Sequence, residues 1–253
     1  MKIWISGACG HMGRAVAELA AADGIEVLGG IDRAGDHAAF PVYRDFTSLP
    51  AGGDAVIDFS VPAALTDLLA WCESEKLPAV ICTTGFTPKQ IERIHEASAR
   101  IPIFRSGNMS LGIALIRKLA REAAAVLGER FDIEIVEAHH RRKVDAPSGT
   151  ALMLYDAMKN ARGTDAPCVM GRAGRDSKRS PGEIGLHAIR GGTVVGEHEV
   201  LFLGDSERIS IRHSAESRSV FAAGALRAAA FLVGKAPGLY DMDDLLADEL
   251  NRD

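Results

Sequence analysis

The feature that most narrows the fold is a glycine-spaced turn between two apolar runs. Lys2 to Ser6 is followed by Gly7-Ala8-Cys9-Gly10-His11-Met12-Gly13 and then by the alanine-rich stretch Arg14 to Ala22. The first run reads as a strand and the second as a helix. A strand that enters a helix through glycines can press its backbone against a pyrophosphate, where free N–H groups and the helix dipole favour negative charge. The spacing is G-x-x-G-x-x-G, one residue longer than the common form, and a turn built only for helix–strand packing would use glycine too. Asp32 favours the cofactor reading, because it ends a second run, Ile25 to Ile31, near the roughly 20-residue spacing at which an acidic side chain meets the adenine ribose hydroxyls. Arg33 follows, where a guanidinium can pair with a 2′-phosphate. The expected cofactor is therefore NADH or NADPH, with both usable.

Strand and helix alternate onward from this turn. Ala55 to Phe59, Ala79 to Cys82 and Ile101 to Arg105 read as strands, with helices at Ala63 to Lys76 and from Pro88. That alternation predicts a parallel sheet with crossover helices. Thr83-Thr84-Gly85 and Ser106-Gly107-Asn108-Met109 then fall at the carboxyl ends of strands, where open sheets bind ligands, although either can serve as an ordinary turn.

The pattern changes near residue 110, which points to a second domain. A long helix runs through Leu127, followed by a strand from Phe131 to Ala138 and a helix from about Gly149 to Asn160. The Gly- and Arg-rich stretch Ala161 to Gly182 reads as a mobile lid. From Ile184 to Ser214, runs broken at Gly191-Gly192 and Gly204-Asp205 read as antiparallel strands joined by hairpins. Val220 to Val233 and Tyr240 to Leu250 read as helices.

Charge excludes several classes. With 29 Lys plus Arg against 34 Asp plus Glu, the formal charge of −5 gives no long-range attraction for nucleic acid or an anionic membrane. No apolar run approaches the roughly 18 residues that cross a bilayer, and Ile3-Trp4-Ile5 meets Gly7, Gly10, His11 and Arg14 too soon for a signal sequence. A cytoplasmic protein is expected. Cys9, Cys72, Cys82 and Cys168 show no C-x-x-C spacing and read as reduced thiols.

Against that acidic background, His139-His140-Arg141-Arg142-Lys143 is a run of five residues that can each carry positive charge. It lies between a strand ending in Glu137-Ala138 and the helix start Pro147-Ser148-Gly149-Thr150. A solvated charge run is the ordinary explanation. A pocket for a small di-acid is the alternative, since cationic side chains there would face helix N-terminal amides able to hold a carboxylate. Crowded imidazole and ammonium groups depress each other's pKa and so become plausible general acids. Adjacent His139 and His140 are poor partners for one zinc ion, and no metal is expected. Ser148 lacks a G-x-S-x-G context and reads as a cap or anion ligand, not a nucleophile.

The segment E-A-H-H-R-R-K-V-D-A-P-S-G-T-A, Glu137 to Ala151, resembles the signature of the dihydrodipicolinate reductase family of lysine biosynthesis. The resemblance spans nearly the whole chain, through G-A-C-G-H-M-G-R at the start, I-D-F-S at Ile57 to Ser60, T-T-G-F at Thr83 to Phe86, and G-E-I-G-L-H-A-I-R-G-G-T-V-V-G-E-H from Gly182 to His198. It implies an α/β chain with a Rossmann dinucleotide-binding domain over 1–110 and 221–253. The second domain, 111–220, would be α+β with a mixed, largely antiparallel sheet, for substrate and oligomerisation. The implied reaction is NAD(P)H-dependent reduction of 4-hydroxy-tetrahydrodipicolinate with loss of water, by hydride transfer to C4. By the same resemblance His139 and Lys143 are proton donors, and His140, Gly149 and Thr150 hold substrate carboxylates. Cofactor contacts map onto Gly7, Ala8, Cys9, Gly10, His11, Met12 and Asp32, the loop Cys82, Thr83 and Thr84, and the backbone of Ser106, Gly107, Asn108 and Met109. Cys82 stands where the family often has Gly, Ser106 to Met109 depart from its usual Ala-x-Asn-Phe or Gly-x-Asn-Phe, and the segment between Asp32 and Ala55 is short.

Two rival readings share the N-terminal half. An aspartate or homoserine dehydrogenase relative has no reason to carry His-His-x-x-Lys with Pro-Ser-Gly-Thr, and a redox sensor needs an effector surface that the charge balance disfavours. A homotetramer is also expected. Val194, Val195, Val200, Leu201, Phe202, Leu203, Ile209 and Ile211 read as apolar on more than one sheet face, with Val195 outward, so one face would need a second copy.

Overall fold

The structure is a computed structural model of the 253-residue chain that describes residues 1–33, 35, 39–163 and 165–251. Thr164 of the expected lid and Arg252-Asp253 of the expected first domain lie outside the described residues. The chain divides into one unit of residues 1–111 and 218–253 and another of residues 112–217.

The first unit opens with β1 (Lys2–Ser6), α1 (His11–Ala22), β2 (Glu26–Ile31), β3 (Val42–Tyr43), β4 (Ala55–Asp58), α2 (Leu65–Glu75), β5 (Ala79–Ile81), α3 (Pro88–Ser98) and β6 (Pro102–Arg105). Of its first three helices only α3 has its first-turn amides answered by side chains. Thr87 and Gln90 close a capping box around α3, whose first residue is Pro88. The buried centre includes Trp4, Val56, Leu68, Leu69 and Ile94, with Trp4 edge-on to Trp71 at 5.8 Å between ring centroids.

The second unit holds most of α4 (Leu111–Leu127), then β7 (Asp132–His139), α5 (Gly149–Arg162), β8 (Cys168–Met170), β9 (Ile184–Arg190), β10 (Gly196–Leu203) and β11 (Arg208–Ala215). The order is β11-β10-β7-β9-β8. Strand alternation sends Ile133, Ile135, Leu186, Val200 and Phe202 to one face, where Ile116 and Ala120 of α4 and Leu154 and Met158 of α5 bury them.

The chain then returns to the first unit with α6 (Ser219–Leu232), β12 (Gly238–Tyr240) and α7 (Met242–Leu250). The finished sheet runs β12-β6-β5-β4-β1-β2-β3, and every pairing in it is parallel. Building goes outward from β1 to β3 and then from β4 in the opposite direction, so the order reverses between β1 and β4. Ligands of open α/β sheets bind at that reversal.

Four expectations change. The second sheet is evenly mixed, because β7–β9 and β9–β8 are parallel while β7–β10 and β10–β11 are antiparallel. Gly191-Gly192 does not form a hairpin, because β7 lies between β9 and β10. The turn steps over the end of β7 and is tied there by Gly191 N–H to His139 O, 3.0 Å, and Arg141 N–H to Gly192 O, 3.3 Å. The stretch read as a lid contains β8 and is pinned by ion pairs, Arg172 to Glu134 at 2.8 Å and Arg179 to Asp132 at 2.9 Å. Finally, Tyr240 ends a strand, and the last helix begins at Met242 because Asp241 and Asp244 form its capping box.

The faces of the second sheet also differ from the reading. Val194 and Val195 lie in the turn before β10, and Val200, Phe202 and Ile211 share the helix-covered face, on whose side Ile209 stays exposed. Of the eight apolar residues only Leu201 and Leu203 reach the open face, beside Glu197 paired with Arg212 at 2.7 Å. No helix among the described residues is long and apolar enough to cross a membrane.

Gly224 shows how tightly the returning helix seats. A Cβ there would stand 1.6 Å from the backbone oxygen of Met109. Alanine normally stabilises a helix interior by about 1 kcal/mol over glycine. Here Gly224→Ala is expected to reverse the sign and destabilise by about 1–3 kcal/mol in denaturant titration, since backbone must move.

Candidate functional site

Each unit contributes a cluster of polar groups. In the first unit the glycine turn sits at the reversal between β1 and β4. Gly7 has φ +78°, and a Cβ on it would meet Phe59 O at 2.6 Å; a Cβ on Gly13 would meet Gly7 O at 2.2 Å. Gly7 thus allows the turn to approach the β4 loop, and Gly13 allows α1 to close on β1. Gly10, the exposed N-cap of α1, carries no side-chain cap, so the helix start faces outward unblocked. Cys9 N–H donates to Asp32 Oδ2 at 2.9 Å, which fixes the carboxylate beside the turn.

A cavity of about 360 Å³ opens there, walled by Gly7, Gly10, Asp32, Arg33, Arg44, Phe46, Phe59 and Ser60 among others. Asp58 organises the wall from below. It is buried, and burial raises its pKa even though the Ser60 hydroxyl donates to it at 2.5 Å. Of the expected cofactor residues, Gly7, Gly10, Asp32 and Arg33 line this cavity. Ala8, Cys82 and Met109 have buried side chains, so they can offer a ligand only backbone. Cys82, Thr83 and Thr84 follow β5, and Ser106 to Met109 follow β6, where the Ser106 hydroxyl donates to Asn108 O at 2.7 Å. Both loops share the sheet end that carries Gly7, outside the cavity's lining. Arg44 escaped the sequence reading because it follows β3, a strand of two residues with too little pattern to detect.

In the second unit the run His139 to Lys143 separates into unlike parts. Arg141 and Arg142 are exposed, as a solvated charge run requires, whereas His139 is buried on β7. Its Nδ1 lies 2.5 Å from Oε2 of Glu137, two residues earlier on the same strand face. Glu137 is fully buried. Arg190 from β9 grips both its oxygens, at 2.8 and 2.7 Å, and Ser148 N–H donates to Oε1 at 3.1 Å. Burial alone would raise the Glu137 pKa, but the bonds from Arg190 and His139 overcome it and hold the carboxyl below its ordinary value. His139 is also held below its ordinary value, by burial first and then by Lys143 and Arg190, with Glu137 opposing. Lys143 pairs with Asp145 at 2.9 Å.

Ser148 is the N-cap of α5 and accepts from Ala151 N–H at 3.2 Å. Its oxygen also lies 3.1 Å from Nε2 of His198, and the tautomer of the imidazole decides which of the two donates. Nδ1 is buried with no partner among the described residues, so nothing there would steady a second proton. Gly149 and Thr150 open α5, and His140 follows β7 with its Nδ1 buried and unpartnered among the described residues. Among the described residues no group of three or more His, Cys, Asp or Glu could hold a metal ion. Sequence reading missed Glu137, Arg190 and His198 as site builders. The first was detectable from Glu-x-His on a strand, since alternate residues share a face. Nothing local marked the other two, which join the site from 53 and 50 residues away.

Comparison with known proteins now bears on this arrangement. Family models described as dihydrodipicolinate reductase, N-terminus, and dihydrodipicolinate reductase, C-terminus, match residues 1–109 and 112–246. A 4-hydroxy-tetrahydrodipicolinate reductase of Caldanaerobacter subterraneus subsp. tengcongensis is 49% identical over 247 residues, covering 97% of this chain and 98% of its own length. The enzyme of that name from Caulobacter vibrioides is 47% identical over 251 residues, covering 97% of each. Among solved structures, the dipicolinate-bound dihydrodipicolinate reductase of Paenisporosarcina sp. TG-14 has the same fold, with a TM-score of 0.78 at 23% identity, covering 95% of this chain and 97% of that one.

The buried imidazole gives a pH prediction. Burial, with His139 adding repulsion, lowers the His198 pKa to about 4 from an ordinary 6.5. The unfolded chain takes up this proton first as pH falls. Stability should therefore decline from pH 6.5 towards pH 4, by up to about 3 kcal/mol from this group. Denaturant titrations across that range should show a shallower decline for His198→Gln.

Proposed function

The chain belongs to the dihydrodipicolinate reductase family, and from that premise we propose how its residues share the reduction of 4-hydroxy-tetrahydrodipicolinate to tetrahydrodipicolinate, with loss of water, in the diaminopimelate route to lysine. The observation that carries the proposal is the buried Glu137–His139 pair beside the capped start of α5. A proton donor and an anion-holding helix end are thereby joined through one carboxylate.

The cofactor is a nicotinamide dinucleotide, and the first unit fits one. The Gly7 position is a cradle that a Cβ would fill, the α1 start is uncapped, and the cavity pairs an acidic Asp32 with Arg33 and Arg44. Gly7, Ala8, Cys9, Gly10, His11 and Met12 would hold the pyrophosphate, Asp32 the ribose hydroxyls of NADH, and Arg33 a 2′-phosphate. Cys82 to Thr84 and Ser106 to Met109 would hold the nicotinamide ribose end. When bound, the cofactor supplies a hydride to C4 of the conjugated cyclic imine left after the hydroxyl departs as water.

His140, Gly149 and Thr150 hold the two carboxylates of the substrate, and His139 and Lys143 deliver the proton to the carbon beside C4. A depressed imidazole pKa suits this task, because a proton held weakly is given up readily, and a bound dianion would raise the pKa enough to charge the ring. Charge developing on the ring during transfer would meet this cationic environment, which stabilises the transition state more than the ground state. We further propose that the enzyme works in the cytoplasm as a homotetramer, supported by the open sheet face bearing Leu201, Leu203 and the exposed Ile189.

Steady-state assays with the condensation product of pyruvate and aspartate semialdehyde test these roles. His139→Ala and Lys143→Ala are expected to lower kcat by about 10² to 10⁴ with the fold intact, while His140→Ala mainly raises KM. Unchanged kcat in the first two would remove them from the mechanism. Cofactor titrations should show Asp32→Ala weakening NADH more than NADPH and Arg33→Ala doing the reverse. Proportional losses in both variants would place the ribose end elsewhere.

A further inference from the structure

Among the described residues, Glu137 has a connection that no other acidic group of the second unit shares. It holds the proton donor, is itself held by a cation, and holds the helix that would bind the substrate. We propose that Glu137, clamped by Arg190, is a positioning residue that fixes the tautomer of His139 and locks its ring to the N-terminus of α5. The proposal rests on the reading of His139 as a proton donor.

The four bonds to the carboxylate account for each part. Arg190 meets the two oxygens end-on through Nη1 and Nη2, which fixes the plane of the carboxylate, and it also donates to Asp145 O at 2.7 Å. A carboxylate accepts and cannot donate, so the proton shared with His139 at 2.5 Å lies on the Nδ1 side. The exchangeable position is then Nε2. That nitrogen faces Gly196 of β10, where a Cβ would come within 3.1 Å, so the missing side chain leaves it room. The remaining site on Oε1 takes Ser148 N–H at 3.1 Å, and this joins the ring to the first turn of α5.

The charges around the ring set its acidity in opposing directions. Glu137 from its own strand favours the imidazolium. Arg190 from β9 and Lys143 from the following loop oppose it, and His198 from β10 stacks edge-on at 5.2 Å. Asp145 draws on Lys143 and Arg190 from the loop side. Removing Glu137 and removing Arg190 must therefore move the His139 pKa in opposite directions, which a merely structural role would not do.

The test measures kcat against pH for Glu137→Gln and Arg190→Gln, with His139→Ala as reference. Gln keeps an acceptor for Ser148 N–H but presents an amide donor to Nδ1. Glu137→Gln is expected to lose about 10²-fold in kcat with KM within about threefold, and its alkaline limb should move to lower pH. Arg190→Gln should move that limb to higher pH, and Glu137→Asp should recover part of kcat by restoring the charge. Wild-type kcat and limb in Glu137→Gln, beside a crippled His139→Ala, would overturn the proposal, as would limbs that move the same way. An unaffected His139→Ala would instead sink the proton-donor reading. Nitrogen NMR of the wild-type enzyme with labelled histidine decides independently of activity and of whether the variants fold. Neutral His139 protonated on Nδ1 supports the proposal, and protonation on Nε2 overturns it.

Discussion

A carboxylate taken wholly out of water has to be answered where it stands, and much of the second unit is arranged around answering Glu137. An unpaired charge there would carry the full desolvation penalty, and breaking such a buried pair typically costs about 3–5 kcal/mol. Arg190 comes from β9, the His139 imidazole from β7 and the Ser148 amide from the start of α5. Three elements are therefore held to one point by charge-assisted bonds. The position of α5 follows, and with it the direction in which its first amides face. Val200 and Phe202, packed beneath, give these elements apolar burial but no unique register; the polar cluster supplies that.

The first unit depends on a different constraint, the absence of side chains. Gly7 and Gly13 sit where any Cβ would strike backbone, so the turn, the β4 loop and α1 can converge only because those atoms are missing. Gly224 does the same for α6 against Met109. What results is a reversal point with an uncapped helix start on one side and Asp32 held by the Cys9 amide on the other. A dinucleotide needs both, one for its phosphates and one for its ribose.

Much of this could be read from the sequence, and the misses have physical causes. The strands at Lys2, Ala55 and Ala79 were legible because buried parallel strands are continuous apolar runs bounded by Gly and Pro. Val42–Tyr43 and Gly238–Tyr240 were not, since two or three residues at a sheet edge leave no periodicity. The Gly191-Gly192 turn looked like a hairpin because sequence cannot show that β7 is inserted between the strands it joins. The basic run announced the site, but composition could not tell buried His139 from exposed Arg141 and Arg142. Arg172 and Arg179, which made their stretch look solvated and mobile, are spent on Glu134 and Asp132.

The proposed roles of the two clusters converge on one chemical outcome, a hydride delivered to one ring carbon and a proton to its neighbour. NADH carrying deuterium on the transferring face of its nicotinamide, given to the enzyme with freshly condensed pyruvate and aspartate semialdehyde, tests this most directly. Mass spectrometry and NMR of the product should place one deuterium at C4 and a solvent-derived proton on the adjacent carbon, with cofactor consumed in equal amount. Cofactor left unconsumed, or a product whose C4 carries solvent hydrogen, would contradict it.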